Sequence, residues 1–326
     1  MRRREFITLL GGAAAWPITA RAQQSAVPLV GFVTSRSLEG STRHAAAYVK
    51  GLSETGYVEG QNVLVEYHWL SGQHDRLPSL MADLVRRHVS VIATLGDPPT
   101  LAAKAASETI PIAFGFSTDP VGHGLVASLA RPGGNATGIN FLQTEVLAKR
   151  LGLLHELAPK AVRVAALINP TNPPSAESTL RDVPEAARAI GLQIQILNAS
   201  TSREIEAAFA TIVHDRTEAL LVAPDGFFNA RRVQFATLAT RHGIPTAYAA
   251  REVVEAGGLM SYGTDAVEMY RQVGVYTGRI LKSARPADLP VVQSTKLEFV
   301  INMQTARALG LDVPNAVQLL ADEVIE

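Results

Sequence analysis

Short, almost wholly apolar runs alternate along the chain with segments whose apolar residues recur every three or four positions. The runs at 28–34 (PLVGFVT), 62–69 (NVLVEYHW), 89–96 (VSVIATLG) and 110–116 (IPIAFGF) have the length and β-branched content of buried strands. Between them lie helical patterns. Ala45, Tyr48, Val49 and Leu52 stand at i, i+3, i+4 and i+7, and a second segment runs through Leu80, Leu84 and Val85, a third through Leu101. Strands spaced by helices of this size predict βαβ units and hence a right-handed, doubly wound parallel sheet.

The rhythm breaks at 131–141 (RPGGNATGINF) and then restarts. Four more strands are expected at 162–169, 192–199, 218–224 and 244–249, with a helix through Ile205, Ala208, Phe209, Ile212 and Val213 among them. The tail offers a helix over 266–282, a Pro-rich turn, short strands VVQS and LEFVIN, and a helix through Ala306 and Leu309. The fold class is therefore α/β, with two doubly wound parallel-sheet lobes. The stretches 135–141, 257–263 and 291–294 are expected to be crossings between them. That assigns 28–140 plus 264–289 to one lobe and 141–263 plus 290–326 to the other, joined by a three-segment hinge.

The ends of the strands change character abruptly. FVTSRS places Thr34 and Ser35 after the first strand, ATLGDPP places Thr94, Gly96 and Asp97 after the third, and GFSTDP places Phe116, Ser117 and Thr118 at the fourth. In the second half LINPTNPPS supplies Asn169 and Thr171, and VAPDGFF supplies Asp225 and Phe227. In an open parallel sheet ligands bind outside the carboxyl ends of the strands, so these small polar groups suit a cleft between two lobes. Phe116, Phe227, Tyr248 and Tyr262 are candidates for a flat apolar wall. The neutral candidates offer hydroxyl and amide donors to a carboxylate, several of them at helix starts. Asp225, the one acidic candidate of the second lobe, suits an ammonium, amide or urea nitrogen. Pro120 is expected to open a helix through Leu125 and Leu129, with Thr118 or Asp119 as its cap.

Composition narrows the classes. The 326 residues are 47% hydrophobic and 18% charged, as in a soluble globular protein, and carry equal numbers of basic and acidic side chains, 30 each. Four of the basic and one of the acidic residues lie in the first 22, leaving 26 against 29. A weakly acidic body argues against a nucleic-acid groove. The absence of cysteine excludes disulfides, thiol catalysis and iron–sulfur ligation. The first segment, MRRREFITLLGGAAAWPITARAQQ, has a basic start, a short apolar stretch and the triplet Ala20-Arg21-Ala22, the form of a cleavable export signal with cleavage after Ala22. Arg3-Arg4-Glu5-Phe6-Ile7 has the form of a twin-arginine signal. Motifs for a nucleophile elbow, a zincin, a P-loop or a dinucleotide loop are missing, and His68 and His74-Asp75 lack a third metal ligand at suitable spacing.

The segment IPIAFGFSTDPVGHGLVASLARPGGNATGINF resembles one typical of ABC-transporter substrate-binding proteins of the tryptophan/tyrosine-uptake type, which have the type I periplasmic binding protein fold. GLSETGYVEGQNV, VEAGGLMSYGTD and LPVVQSTKLEFVINMQTARALGLDVP extend the resemblance over nearly everything after the signal. The chain departs from the family pattern at Ile168 to Pro174 and at Asp225-Gly226. The resemblance implies an exported, periplasmic, monomeric protein that closes over a small solute and hands it to an ABC permease in the inner membrane. It implies neither cofactor nor catalytic residues. A ligand-sensing subunit for a receptor kinase would use the same cleft, and an exported α/β enzyme is the third reading.

Overall fold

The computed structural model describes residues 27–141 and 146–326; the expected export signal lies outside the described residues. The first half reads β1 (Leu29–Thr34), α1 (Thr42–Glu54), β2 (Leu64–Trp69), α2 (Leu77–Arg86), β3 (Val91–Leu95), α3 (Asp97–Ala106), β4 (Ile112–Phe116) and β5 (Ala136–Asn140). The second half reads α4 (Leu147–Leu157), β6 (Arg163–Ile168), α5 (Pro173–Ala189), β7 (Gln193–Asn198), α6 (Ser202–His214), β8 (Ala219–Val222), α7 (Gly226–Ala230), α8 (Arg232–His242), β9 (Thr246–Tyr248), α9 (Arg251–Glu255) and β10 (Met260–Thr264). The tail adds α10 (Ala266–Leu281), β11 (Val292–Gln293), β12 (Leu297–Asn302), α11 (Met303–Ala308), α12 (Asn315–Leu320) and β13 (Glu323–Ile325).

Two sheets result, of order β11-β5-β4-β3-β1-β2 and β13-β12-β10-β9-β8-β6-β7. From β2 to β5 and from β7 to β10 the winding is the same. Each sheet reverses direction once, between β1 and β3 and between β6 and β8, and those are the points at which doubly wound sheets leave a crevice. Pairing is parallel throughout except where β12 runs antiparallel to β10. The strands read as continuous apolar runs because helices cover both faces. Val30, Phe32, Tyr48, Leu52, Val273 and Ile280 fill one side of the first sheet, and Val33, Met81, Leu84, Ile92 and Phe114 the other. The second sheet is likewise sandwiched, with Leu151, Leu154, Val183 and Ile301 on one side and Ile205, Phe209, Phe235 and Val253 on the other.

The tail stitches the lobes together. Asp265 caps α10 by accepting the Glu268 amide at 3.0 Å, and the helix then packs on α1 of the first lobe. Two glycines permit that close crossing: a Cβ on Gly274 would sit 2.1 Å from the Tyr48 carbonyl oxygen, and one on Gly51 1.9 Å from that of Arg271. β11 then pairs with β5 in the first sheet before β12 joins the second. Residues 290–293 therefore lie with the first lobe, and the last crossing falls at 294–296, slightly later than the sequence boundary. The stretches 135–141 and 257–263, expected to cross, instead hold β5 and β10, strands inside the first and second sheets, so the other two crossings come after β5 and at Asp265. Two of the three are tied to each other, since the Asp265 amide donates to the Lys296 carbonyl at 3.0 Å and Lys296 Nζ lies 2.7 Å from Asp265 Oδ2.

One expected element is absent. After Pro120 the chain makes turns, not a helix. Asp119 folds onto the next turn by accepting the Val121 amide at 2.9 Å, and Gly124 takes φ +67°, a left-handed conformation that interrupts a helix. α12 and β13 are elements that the sequence pattern did not suggest.

Candidate functional site

The carboxyl edges of both sheets face each other across a cleft. The empty space there, open solvent at its mouth included, comes to about 940 Å³. Of the sequence candidates, Ser35, Gly96, Ser117 and Asp225 line it. The others lie elsewhere. Thr94 is buried and bonds Thr100 through their hydroxyls at 2.9 Å. Phe116 packs in the core of the first lobe, and Phe227 and Tyr248 in that of the second, while Tyr262 stacks edge-on against Phe299. Thr118 faces a separate groove with Asn140 and, from the second lobe, Arg181. Thr171 is exposed, and its amide and hydroxyl are both held by Asn169.

Asp225 turns out to be committed within its own lobe. Its Oδ1 accepts the Phe227 and Phe228 amides at 2.9 and 3.2 Å and the Asn169 side chain at 3.0 Å, and its Oδ2 accepts Asn172 Nδ2 at 2.9 Å. It is the N-cap of α7. The apolar wall is built by Phe141, Tyr270, Met269 and Leu95 instead of the aromatic residues anticipated.

Residues that the sequence pattern did not single out bridge the lobes. Glu252 of α9 meets Arg36 and His44 of the first lobe, with Oε1 3.1 Å from Arg36 Nη1 and 2.9 Å from His44 Nε2. All three are largely buried, with side chains 8, 16 and 0% exposed. Burial alone would push the Glu252 carboxyl up, but Arg36 and then His44 outweigh it and hold the group well below the usual carboxylate range. His44 goes the other way for an imidazolium: burial first, and Arg36 second, pull its pKa below the ordinary 6.5. An outer pair, Arg43 and Glu255 at 2.9 Å, is half-exposed. Backbone touches as well, since a Cβ on Gly226 would lie 2.6 Å from Ser35 Cβ and one on Gly72 2.4 Å from Phe227 Cβ. The lobes are closed on each other.

From this cluster closure is expected to be sensitive to acid. His44 faces Glu252, Arg36, Arg43 and Tyr270. Its pKa is depressed in the closed form, so an opened form in which it regains water binds more protons as the pH drops. The favourable contribution is complete above the ordinary value and is lost as the pH falls through the depressed one. Small-angle scattering from pH 8 to 5 is expected to show the molecule expanding below about pH 6.5, the free-histidine value. A flat profile for the wild type, or the same expansion in His44→Asn, contradicts this.

Two α/β lobes of identical winding, closed over a cleft at both switch points, define a type I periplasmic-binding-protein architecture, a class built to hold a small molecule between lobes. The chain belongs to the ABC transporter substrate binding protein family, whose profile matches residues 32–325. Its function is solute binding for ABC transport. It is 26% identical over 265 residues, 81% of this chain and 75% of the other, to a tyrosine-binding protein of Clostridioides difficile. A crystal structure of a conserved domain protein from Vibrio cholerae matches with a TM-score of 0.84 and 25% identity, covering 91% of this chain and 99% of that one. An ABC domain from Streptococcus pneumonia in complex with L-Trp matches at 0.83 and 23%, with the same coverage. Among the described residues no helix is long and apolar enough to cross a membrane.

Proposed function

We propose that the protein is exported through its N-terminal signal, is cleaved after Ala22, and works in the periplasm as a monomer that collects an amino acid, an amide or a related small carboxylate. The three crossings serve as the hinge, and the closed form is what the inner-membrane permease receives. The observation that carries the reading is the cleft itself: both carboxyl edges converge on it, with polar groups from Ser35, Ser117 and Ser261 beside an apolar wall of Phe141 and Tyr270. The tyrosine-binding relative and the neighbour in complex with L-Trp support an amino-acid-sized solute.

A thermal-shift screen of the mature chain against amino acids, amides, aromatic acids and small carboxylates, followed by calorimetry, tests it. A solute present at about 100 times its Kd stabilises the folded state by about 2.7 kcal/mol through mass action, which moves the midpoint by several degrees. Return of that solute unchanged is expected. Silence across all four classes rejects the proposed solute range, and chemical conversion of a bound solute rejects the transport reading.

A further inference from the structure

The acidic groups on the cleft are almost all neutralised by protein. Glu252 has Arg36, Asp265 has Lys296 and Glu298 has Arg251, while the oxygens of Asp225 hold four N–H donors. Asp97 is different. It is 2% exposed and lines the cleft, yet the partners it holds are neutral: the Ser117 amide donates to Oδ1 and the Ser117 hydroxyl to Oδ2, each at 2.6 Å. No Lys or Arg among the described residues lies within ion-pair distance. A carboxylate has about four acceptor positions, so roughly half of its capacity is left. Burial pushes its carboxyl above the usual aspartate range, and the lowering effects of the Ser117 bonds, of His123 and of the Thr118 hydroxyl do not offset it. Burying a carboxylate without a cation is unfavourable, and a cationic ligand relieves that penalty on closure.

The surroundings exclude the opposite assignment, an anion at the start of α3. Its second and third residues are Pro98 and Pro99, which have no N–H to offer, and α5 on the facing lobe likewise starts with Pro173 and Pro174. Beside Asp97, Gly96 at φ +114° leaves room for Ser35, whose Oγ would lie 2.8 Å from a Cβ there. Ser35 is 5% exposed, and its buried hydroxyl has no hydrogen-bond partner. A buried acid and an unpartnered hydroxyl thus stand together at the switch point of the first sheet.

We infer that Asp97 is the specificity-determining residue of the cleft and selects solutes carrying a protonated nitrogen, with Ser35 as a second polar contact. This rests on the solute-binding reading above and narrows it: bare carboxylates and neutral amides are excluded. Cationic amines and zwitterionic amino acids remain. The charge that Asp97 lacks is supplied by the solute, so closure on a solute without it leaves the acid uncompensated.

Matched probes test this on the wild-type mature chain. L-tyrosine is compared with 3-(4-hydroxyphenyl)propanoate, L-tryptophan with indole-3-propanoate, and L-leucine with 4-methylpentanoate, each pair with tyramine as an amine lacking the carboxylate. At least one amine-bearing probe is expected to bind about 30-fold or more tighter than its partner, the scale of losing one member of a buried charge pair. In Asp97→Asn that gap is expected to shrink to within about threefold, by weakening of the amine-bearing member. Tighter or equal binding of a des-amino partner overturns the assignment while leaving solute binding intact. So does an undiminished gap in a folded Asp97→Asn. If other solutes of the screen bind but no amine does, the assignment falls alone; if nothing binds at all, it falls together with the reading beneath it. The wild-type pairs decide the matter even if the variant does not fold.

Discussion

Glu252→Ala is expected to hold the lobes open and to weaken solute binding by two orders of magnitude or more. Arg36, in the loop after β1, and His44 of α1 both lie within 3.1 Å of one carboxylate oxygen of Glu252 on α9 of the other lobe. Among the described residues the acid is the one carboxylate paired with the Arg36 guanidinium, which loses water on closure together with the His44 imidazole. Removing one partner of a buried ion pair costs about 3–5 kcal/mol, because the charge left behind stays desolvated. Here the molecule has an escape, which is to open and rehydrate Arg36. The penalty therefore falls on the closing equilibrium, and the folded stability of each lobe is expected to be preserved. The outer pair supplies the contrast. Arg43 and Glu255 are 50 and 34% exposed, so Glu255→Ala is expected to change affinity by no more than about 1 kcal/mol. Scattering and calorimetry on both variants separate the cases; a Glu252→Ala protein as compact and as tight as the wild type refutes the latch.

How far such a site can be read in advance depends on whether its parts are local. The alternation of strand and helix is a local signal, and it carried the α/β fold through both sheets. The strand-end rule carried part of the cleft. Ser35, Gly96, Ser117 and Asp225 follow the last residue of a strand and emerge at the carboxyl edge. Thr94 and Phe116 still lie within their strands, where side chains alternate between faces, and both point into packing. Asp97 is legible as a polar strand-end residue, but its position before two prolines reads as a helix start, and nothing local shows that neither Lys nor Arg approaches it. Glu252, His44 and Arg36 were illegible for a stronger reason. They are 216 and 208 residues apart in the pairs Arg36–Glu252 and His44–Glu252, and only closure of the lobes brings them together. Gly51, Gly226 and Gly274 carry the same lesson, for each matters through a backbone on another element.

Gly226 leads to the last expectation. It is the first residue of α7 on the second lobe, and across the cleft a Cβ there would lie 2.6 Å from Ser35 Cβ and 2.8 Å from the Ser35 carbonyl oxygen. The obstacle is largely backbone, which cannot swing aside as the end of a long side chain can. Its φ is not in the left-handed region, so alanine suits the local conformation and adds helix propensity. Gly226→Ala thus meets its nearest obstacles on the opposite lobe, and they are there only when the lobes meet. Overpacking of this kind costs about 1–3 kcal/mol in a core that cannot yield. In a hinged molecule that energy is avoided by stopping short of closure. The expected result is a protein that unfolds at the wild-type temperature in the absence of solute and yet binds solute roughly 5- to 150-fold more weakly, the same 1–3 kcal/mol expressed as affinity. Because the adjoining Ser35 backbone is also the edge of the cleft beside Asp97, loss should appear as faster release, with the rate of encounter at the open cleft little changed. Stopped-flow measurement of both rates checks this. Wild-type affinity in Gly226→Ala would show that the contact between Ser35 and Gly226 is not made in the solute-bound state.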